Sequence, residues 1–143
     1  TREGGKLKPH DWHRIGLDVD VEYNNFRAKH DMATQEKWTL FQAISVSPLV
    51  NQILVSPETK IAVMKFAAAR ADNDFKAQEA FRKLHAECGH PTHFHINFTC
   101  AYNHACDQNE PSLVRRYALN ESDTYTSLER LSMKCAQIIH SPK

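Results

Sequence analysis

Cysteine and histidine residues crowd between positions 88 and 106, and they are the side chains of this sequence best suited to chemistry. The members of this cluster are Cys88, His90, His93, His95, Cys100, His104 and Cys106. Thiolate sulfur and imidazole nitrogen are the usual ligands of zinc, so a zinc site is the sharpest chemical hypothesis. The spacing fits it poorly, because there is no C-x2-C pair and because Cys100 and Cys106 would point to nearly opposite sides of a helix. His93, Cys100 and His104 could share a helix face, but they supply only three ligands. We therefore expect no metal ligand, no cofactor and no catalytic residue in the chain.

The tripeptide His93-Phe94-His95 resembles the two-histidine signature of rolling-circle nucleases, in which an apolar residue separates two metal-binding histidines on a strand. That chemistry also needs a tyrosine nucleophile on a helix with a nearby lysine, and no such pairing follows here. No Ser/His/Asp arrangement and no G-x-G-x-x-G loop stands out. His10 and His13, which flank Trp12, are interpreted as surface histidines. These observations predict that the chain is not an enzyme.

The secondary structure of residues 92–107 determines which side chains of the cluster lie on the same face. As a strand, this segment would place apolar side chains on one face and His93, His95, Asn97 and Thr99 on the other. As a helix, it would form a stripe of Phe94, Phe98, Ala101 and Ala105. A lone strand has no obvious partner between helical neighbours, so we favour the helix.

Residues 17–30 give a similarly divided signal. Three apolar residues alternate with Asp18, Asp20 and Glu22, which is the period of a strand. Tyr23 and Phe26 then suggest a helical turn. We expect a short extended piece followed by a helix over about residues 20–30.

The most legible segment is a helix–turn–helix hairpin over residues 56–92. Ser56 can cap the first helix and Pro57 fits its first position. A turn at residues 72–74 follows, and Gly89 stops the second helix. The predicted buried stripe of the first helix is Ile61, Met64, Ala68 and Ala71. The predicted stripe of the second helix is Ala77, Ala80, Phe81, Leu84 and Cys88.

Further helix signals surround this hairpin. They predict helices over residues 34–46, from Ser47-Pro48 through Leu54, from Pro111 onwards, and after a cap at Ser122 or Asp123. The fold class we expect is all-α, with about six or seven helices forming short antiparallel hairpins stacked as a small TPR-like superhelix. The expected organisation is an N-terminal arm (1–19), a helical-hairpin domain (20–110) and a C-terminal helical extension (111–143).

Composition narrows the classes of function. The chain has 143 residues and a formal net charge of +1, which argues against a general nucleic-acid binder because such proteins are usually clearly basic. No apolar run approaches the ~20 residues of a membrane span.

The four cysteines could form two disulfides in a secreted protein, but a chain of this length does not need them, so we expect reduced, buried thiols. Thr1 is not a start methionine, which is consistent with a trimmed chain or a removed targeting segment.

Several features occur in an order typical of one known family. They are an acidic–aromatic segment at 20–27, a helix containing Trp38, a junction at 54–61, an Asn-Asp-Phe turn at 71–75 and a helix leading to Cys88-Gly89. From Trp38 to about Pro111 the chain resembles the cytochrome c oxidase subunit called Va in mammals and VI in yeast. The resemblance implies a non-catalytic accessory subunit of respiratory complex IV. It would lie on the matrix side of the mitochondrial inner membrane, with other oxidase subunits as partners and no nucleic acid.

Two alternatives remain open. Residues 77–91 followed by Ile96-Asn97 resemble a pentatricopeptide repeat, which would make the chain an RNA- or protein-binding module of an organellar complex. At most two such units can be found, whereas about three or more are needed for a stable array. The other alternative is a secreted, disulfide-bonded helical protein.

Overall fold

The computed structural model describes residues 18–25, 30–99 and 123–140. The strands in this part of the chain are β1 (Asp18–Glu22), β2 (Asn24–Asn25), β3 (His30–Asp31), β4 (Val50–Val55), β5 (Leu84–Ala86) and β6 (His93–Phe98). The helices are α1 (Thr34–Ser45), α2 (Pro57–Ala69), α3 (Phe75–Lys83) and α4 (Tyr125–His140). None of these described helices has the combined length and apolarity that crossing a bilayer requires.

Four of the strands form one mixed sheet in the order β1-β6-β4-β5. β6 is antiparallel to both β1 and β4, whereas β4 and β5 are parallel. A parallel pair needs a long crossover connection, and α2 with α3 provides it. The short strands β2 and β3 pair separately.

The hydrophobic core lies between one face of this sheet and helices α1, α2 and α3. Phe94 of β6 and Ile53 of β4 point into it and are fully buried. Phe41 of α1 meets the Phe94 ring edge-on, with the ring centroids 5.2 Å apart. Trp38 lies against Phe81, with the ring centroids 4.8 Å apart. The helices therefore fix the sheet from one side.

The predicted starts of both helices of the hairpin are confirmed. Ser56 accepts a hydrogen bond from the backbone N–H of Thr59 at 3.1 Å, and Pro57 is the first residue of α2. Asp74 caps α3 by accepting from the N–H of Ala77 at 3.0 Å. Ser56 was predicted as a cap, and Asp74 lies in the turn that was predicted at residues 72–74. Both signals lie within three residues of the hydrogen bond they form.

The predicted buried stripe of the first helix is wrong in phase. Its four expected members are half-buried or exposed, and the residues buried in α2 are instead Pro57, Thr59, Lys60, Val63 and Ala67. The prediction followed apolar residues only, whereas Lys60 is 3% exposed because its ammonium group donates to the Leu84 carbonyl at 2.8 Å. In α3 the burial of Ala77 and Ala80 is confirmed.

The all-α prediction is wrong, and the error has three parts. Residues 93–98, 50–55 and 18–22, each predicted to lie wholly or partly in a helix, form β6, β4 and β1. The second hairpin helix also ends earlier than predicted, at Lys83, because Leu84 turns to an extended conformation and begins β5. The argument against a strand at 92–107 was the lack of a partner, and the structure supplies one on each side.

The last predicted helix is confirmed as α4, which packs on α2. Thr124 caps it, since its hydroxyl accepts from the N–H of Ser127 at 3.1 Å, so the cap lies beside the two residues predicted for it. The helix predicted from Pro111 and the proposed boundary at 110/111 lie outside the described residues. The predicted division into three segments stays a prediction.

Candidate metal centre

The face of the sheet opposite the core carries polar side chains from β1 and β6. Asp20 lies directly opposite His95, and Asp18 lies opposite Asn97. Because side chains alternate across a strand, Asp18, Asp20, His93 and His95 all project from this face. Two short sequence motifs, Asp-x-Asp and His-x-His, are thus brought together by strand pairing.

His95 is the centre of this group. Its side chain is 2% exposed, and its Nδ1 lies 3.1 Å from Asp18 Oδ2 and 2.9 Å from Asp20 Oδ1. An ionised carboxylate only accepts hydrogen bonds, so Nδ1 carries the proton and Nε2 faces the other way. Burial alone would lower the pKa of His95, but the hydrogen bond and negative charge of Asp18, together with the charge of Asp20, raise it above its usual value.

His93 and His90 complete the cluster on the other side of the His95 ring. The Nε2 atoms of His93 and His95 lie 3.1 Å apart. His90 lies in the turn before β6, at 6% exposure, and its ring meets the His95 ring edge-on with the centroids 4.4 Å apart. One ring nitrogen from each of the three histidines falls within 4.8 Å of the others.

The turn that presents His90 has a specific backbone. Gly89 adopts a φ of +87°, which an L side chain rarely tolerates. His90 Nδ1 lies 3.3 Å from the Glu87 carbonyl oxygen, so with the proton on Nδ1 the ring donates this bond. Burial, with the nearby His95 as a secondary cause, lowers the pKa of His90 to about 4. His90 is therefore neutral at ordinary pH and its second nitrogen has a lone pair available.

These donors match a transition-metal site. Two nitrogens bound to one tetrahedral zinc at 2.0–2.1 Å would be about 3.3 Å apart, close to the separation of the His93 and His95 nitrogens. On the other side of the ring, Asp18 Oδ2 and Asp20 Oδ1 lie 3.1 and 2.9 Å from His95 Nδ1. Imidazole with carboxylate suits zinc and its neighbours better than calcium or magnesium, which prefer all-oxygen sites.

The structure divides the predicted cysteine–histidine cluster. It brings together His90, His93 and His95, and it places Cys88 in a disulfide with Cys135. Those two cysteines are therefore not reduced thiols, contrary to the prediction. The other members of the cluster, and the histidines near the N-terminus, lie outside the described residues.

Sequence reasoning missed Asp18 and Asp20 as site residues. Their signal was present, since residues 17–22 alternate in the same way as residues 93–98. Residues 92–107 were assigned to a helix for lack of a strand partner, and residues 20–30 because Tyr23 and Phe26 suggested a helical turn. The two segments are partners of one another. The strand and the shared face of the two histidines, which the nuclease comparison required, are both observed.

Comparison with known families identifies the protein family of the chain. The model of the penicillin-insensitive murein endopeptidase family, Peptidase_M74, matches residues 23–137. This chain belongs to that family. The endopeptidase family is bacterial and periplasmic, and its members are peptidases, so the prediction that the chain is not an enzyme is wrong. A search of curated proteins found no match.

Membership in the endopeptidase family also overturns the resemblance to the oxidase subunit. The chain is not an accessory subunit of complex IV, and the predicted mitochondrial location and oxidase partners are wrong. The pentatricopeptide alternative is not supported either. Capped helices joined by a short turn carried both resemblances, and such hairpins are common to many folds.

Proposed function

We propose that this chain is a metal-dependent murein endopeptidase. It would hydrolyse amide bonds in the peptides that cross-link bacterial murein, with water as the nucleophile. The observation that carries the proposal is the convergence of three histidines and two aspartates on the outer face of the β1–β6 pair. Family membership supports the substrate class, because the family description names murein.

The donor set offers two positions for one divalent ion, and His95 contributes to both. On its Nε2 side are His93 and His90, and on its Nδ1 side are Asp20 and Asp18. In the first arrangement the aspartates orient His95 by holding its Nδ1 proton, which is the usual outer-shell support of a metal-bound imidazole. In the second, the ion would take the place of the Nδ1 proton and Asp20 would itself be a ligand, whereas His93 lies on the Nε2 side of the ring and would not be one. His95→Ala removes either arrangement, whereas Asp20→Ala and His90→Ala separate them.

A bound zinc ion would polarise the scissile carbonyl and lower the pKa of a coordinated water to about 7. The remaining chemistry falls to side chains of this site. His93 is the most exposed of the three histidines, and its Nε2 lies at the cluster. In the second arrangement His93 would not be a ligand, and its Nε2 would be the group that accepts a proton from the attacking water and returns it to the leaving amine.

The family description also favours water over a serine nucleophile. Penicillin acts on enzymes that use a nucleophilic serine, and the family is described as penicillin-insensitive. No serine, threonine or cysteine side chain belongs to the described cluster, which consists of histidines and aspartates. A hydrolase built from these groups has no acyl-enzyme for penicillin to trap.

A periplasmic location agrees with the disulfide. Disulfides persist in oxidising compartments such as the bacterial periplasm and are rare in the cytosol. Cys88 and Cys135 are joined in this chain. We therefore place its action in the periplasm, where murein is accessible.

The test is cleavage of purified, cross-linked muropeptide dimers, followed by mass spectrometry of the products. We expect the chain to convert dimers to monomers by breaking one amide bond. Activity should disappear with the chelator 1,10-phenanthroline and return on addition of Zn²⁺. The non-chelating 1,7-isomer is the matched control and should have no effect.

Two results would contradict the proposal in different ways. Full activity in protein shown by elemental analysis to contain no metal would reject the metal site. Stoichiometric zinc binding with no cleavage of any muropeptide dimer would reject the substrate.

A further inference from the structure

The disulfide between Cys88 and Cys135 joins the site-bearing turn to the C-terminal helix. The two cysteines are 47 residues apart in sequence, and their Cα atoms are 5.2 Å apart. Cys88 precedes Gly89 and His90 in the turn, whereas Cys135 is buried on α4. A covalent bond therefore ends two residues from one of the three clustered histidines.

Backbone hydrogen bonds tie the turn to the rest of the fold on either side of residues 88–91. After these residues, the Thr92 carbonyl accepts from the Tyr23 N–H at 3.1 Å. The Glu87 N–H donates to the Val55 carbonyl at 2.8 Å, which continues the β4–β5 pairing up to this point. Gly89 then reverses the chain with its positive φ, and the His90 ring is hydrogen-bonded within the same turn, to the Glu87 carbonyl and to the backbone of Cys88. Glycine confers conformational freedom here, so a cross-link at Cys88 restricts the turn where the backbone restricts it least.

Helix α4 is a firm anchor for that cross-link. Its start is tied to α2 by the ion pair of Asp123 with the buried Lys60. One turn before Cys135, Ser132 donates to Glu58 of α2. Leu128 lies between these contacts and is 1% exposed. The helix is thus fixed to the core independently of the disulfide.

We propose that Cys88 and Cys135 are positioning residues for the metal centre. Their disulfide holds the turn so that the His90 ring stays against His95, and without it His90 leaves the cluster while the sheet and helices remain folded. The relevance to hydrolysis rests on the proposed function, but the contact between the two rings does not require a metal.

The experiment uses the full chain as wild type and as the Cys88→Ser/Cys135→Ser variant. In metal-free protein, nuclear Overhauser effects between the His90 and His95 ring protons report the contact directly. Co²⁺ titration, followed by visible absorbance, reports the affinity and geometry of the centre. We expect the variant to lose the Overhauser effects and to bind Co²⁺ about 10- to 100-fold more weakly, the range typical of lost support around a metal ligand.

The matched control is Asp123→Asn, which loosens α4 at its other end without touching the turn. It should lower the thermal midpoint while keeping both the ring contact and the Co²⁺ spectrum. A merely stabilising disulfide would make the two variants behave alike at the centre. Unchanged ring contact and Co²⁺ affinity in the serine variant would overturn the proposal.

A second measurement covers the case in which the serine variant does not fold. Wild-type protein loaded with Co²⁺ is treated with a water-soluble phosphine, which breaks the S–S bond, takes oxygen from water to become a phosphine oxide, and leaves two thiols. We expect the Co²⁺ spectrum to change before the far-UV circular dichroism. Simultaneous loss of both signals would overturn the proposal.

Failure of the proposed function gives a different pattern. If oxidised wild type neither binds Co²⁺ nor cleaves muropeptides, the metal-dependent reaction is rejected. The ring contact in the metal-free proteins still decides whether the disulfide positions His90.

Discussion

The two faces of the β1–β6 pair differ completely although they share the same backbone. One face carries Val21, Phe94 and Ile96 and belongs to the hydrophobic core or packs against it. The other carries the aspartates and histidines of the candidate centre. Successive side chains of a strand point to opposite faces, so alternate residues pack in the core and contribute to the candidate centre. Substitutions a single residue apart should therefore have separate consequences.

The largest effect is expected for His95→Ala. This substitution removes the shared ligand of both metal arrangements, so metal affinity and muropeptide cleavage should fall by more than the about 10- to 100-fold that is typical of lost outer-shell support. Isothermal titration with Zn²⁺ and the dimer assay measure the two losses. His85→Ala is the matched control, because His85 and His95 flank Leu54 on the same face, roughly 10 Å apart. An equal loss in both variants would mean that the effect is not specific to the cluster.

Phe94→Ala should lower the stability of the fold and leave metal affinity nearly unchanged, which is the opposite of the effect expected for His95→Ala. The Phe94 ring is fully buried against Phe41 and Tyr23, so its removal should lower the free energy of unfolding by about 3–5 kcal/mol. Urea denaturation measures this change. At a temperature where the variant is folded, its Zn²⁺ affinity should stay close to that of wild type. If Phe94→Ala caused a small loss of stability and a large loss of Zn²⁺ affinity, the two faces would not have the separate roles described above.

Asp18→Asn tests how far the polar face depends on its outer support. The Asp18 carboxylate accepts from His95 Nδ1, so replacing it by an amide should weaken Zn²⁺ binding by about 10- to 100-fold. Glu22→Gln removes a charge from the same face of β1, at an exposed position opposite His93, and should change the affinity far less. Equal effects would indicate that general negative charge, and not the bond to His95, supports the centre.

The smallest effect is expected away from both faces, at the start of α3. Asp74→Ala removes the cap that accepts from the Ala77 N–H and should lower the free energy of unfolding by about 1 kcal/mol. Asp74→Asn keeps an accepting oxygen and should cost little. Thermal denaturation compares the variants, and cleavage activity should not differ. A loss of activity in the alanine variant would mean that the helical hairpin takes part in the site.

The sequence was most informative where the determining contact is local. Ser56 and Asp74 each cap a helix through a residue three positions away, and both helix starts were predicted correctly. The burial phase was less predictable, because Lys60 is buried by partners 24 and 63 residues away. Local hydrogen bonds follow from neighbouring residues, but burial depends on what packs from elsewhere.

The strands and the candidate centre could not be predicted from local sequence. Residues 93–98 alternate clearly, but alternation is stable as a strand only where a neighbouring strand pairs with it. That neighbour, β1, lies far away in the sequence and was interpreted mainly as a helix. The sulfur of Cys88 was similarly counted as a possible ligand because its partner at position 135 was not visible from its own surroundings.

By itself the sequence determined the caps of α2 and α3, the Asp-x-Asp and His-x-His motifs and the alternation that places each pair on one face. Only the tertiary structure decided that these two faces coincide, since Asp18 and His95 are hydrogen-bonded across 77 positions. It also decided that Cys88 pairs with Cys135 and that His90 joins the cluster. The physical reason is that strand pairing, disulfide formation and shared ligation are contacts between distant segments, whose energies depend on the whole core that brings them together.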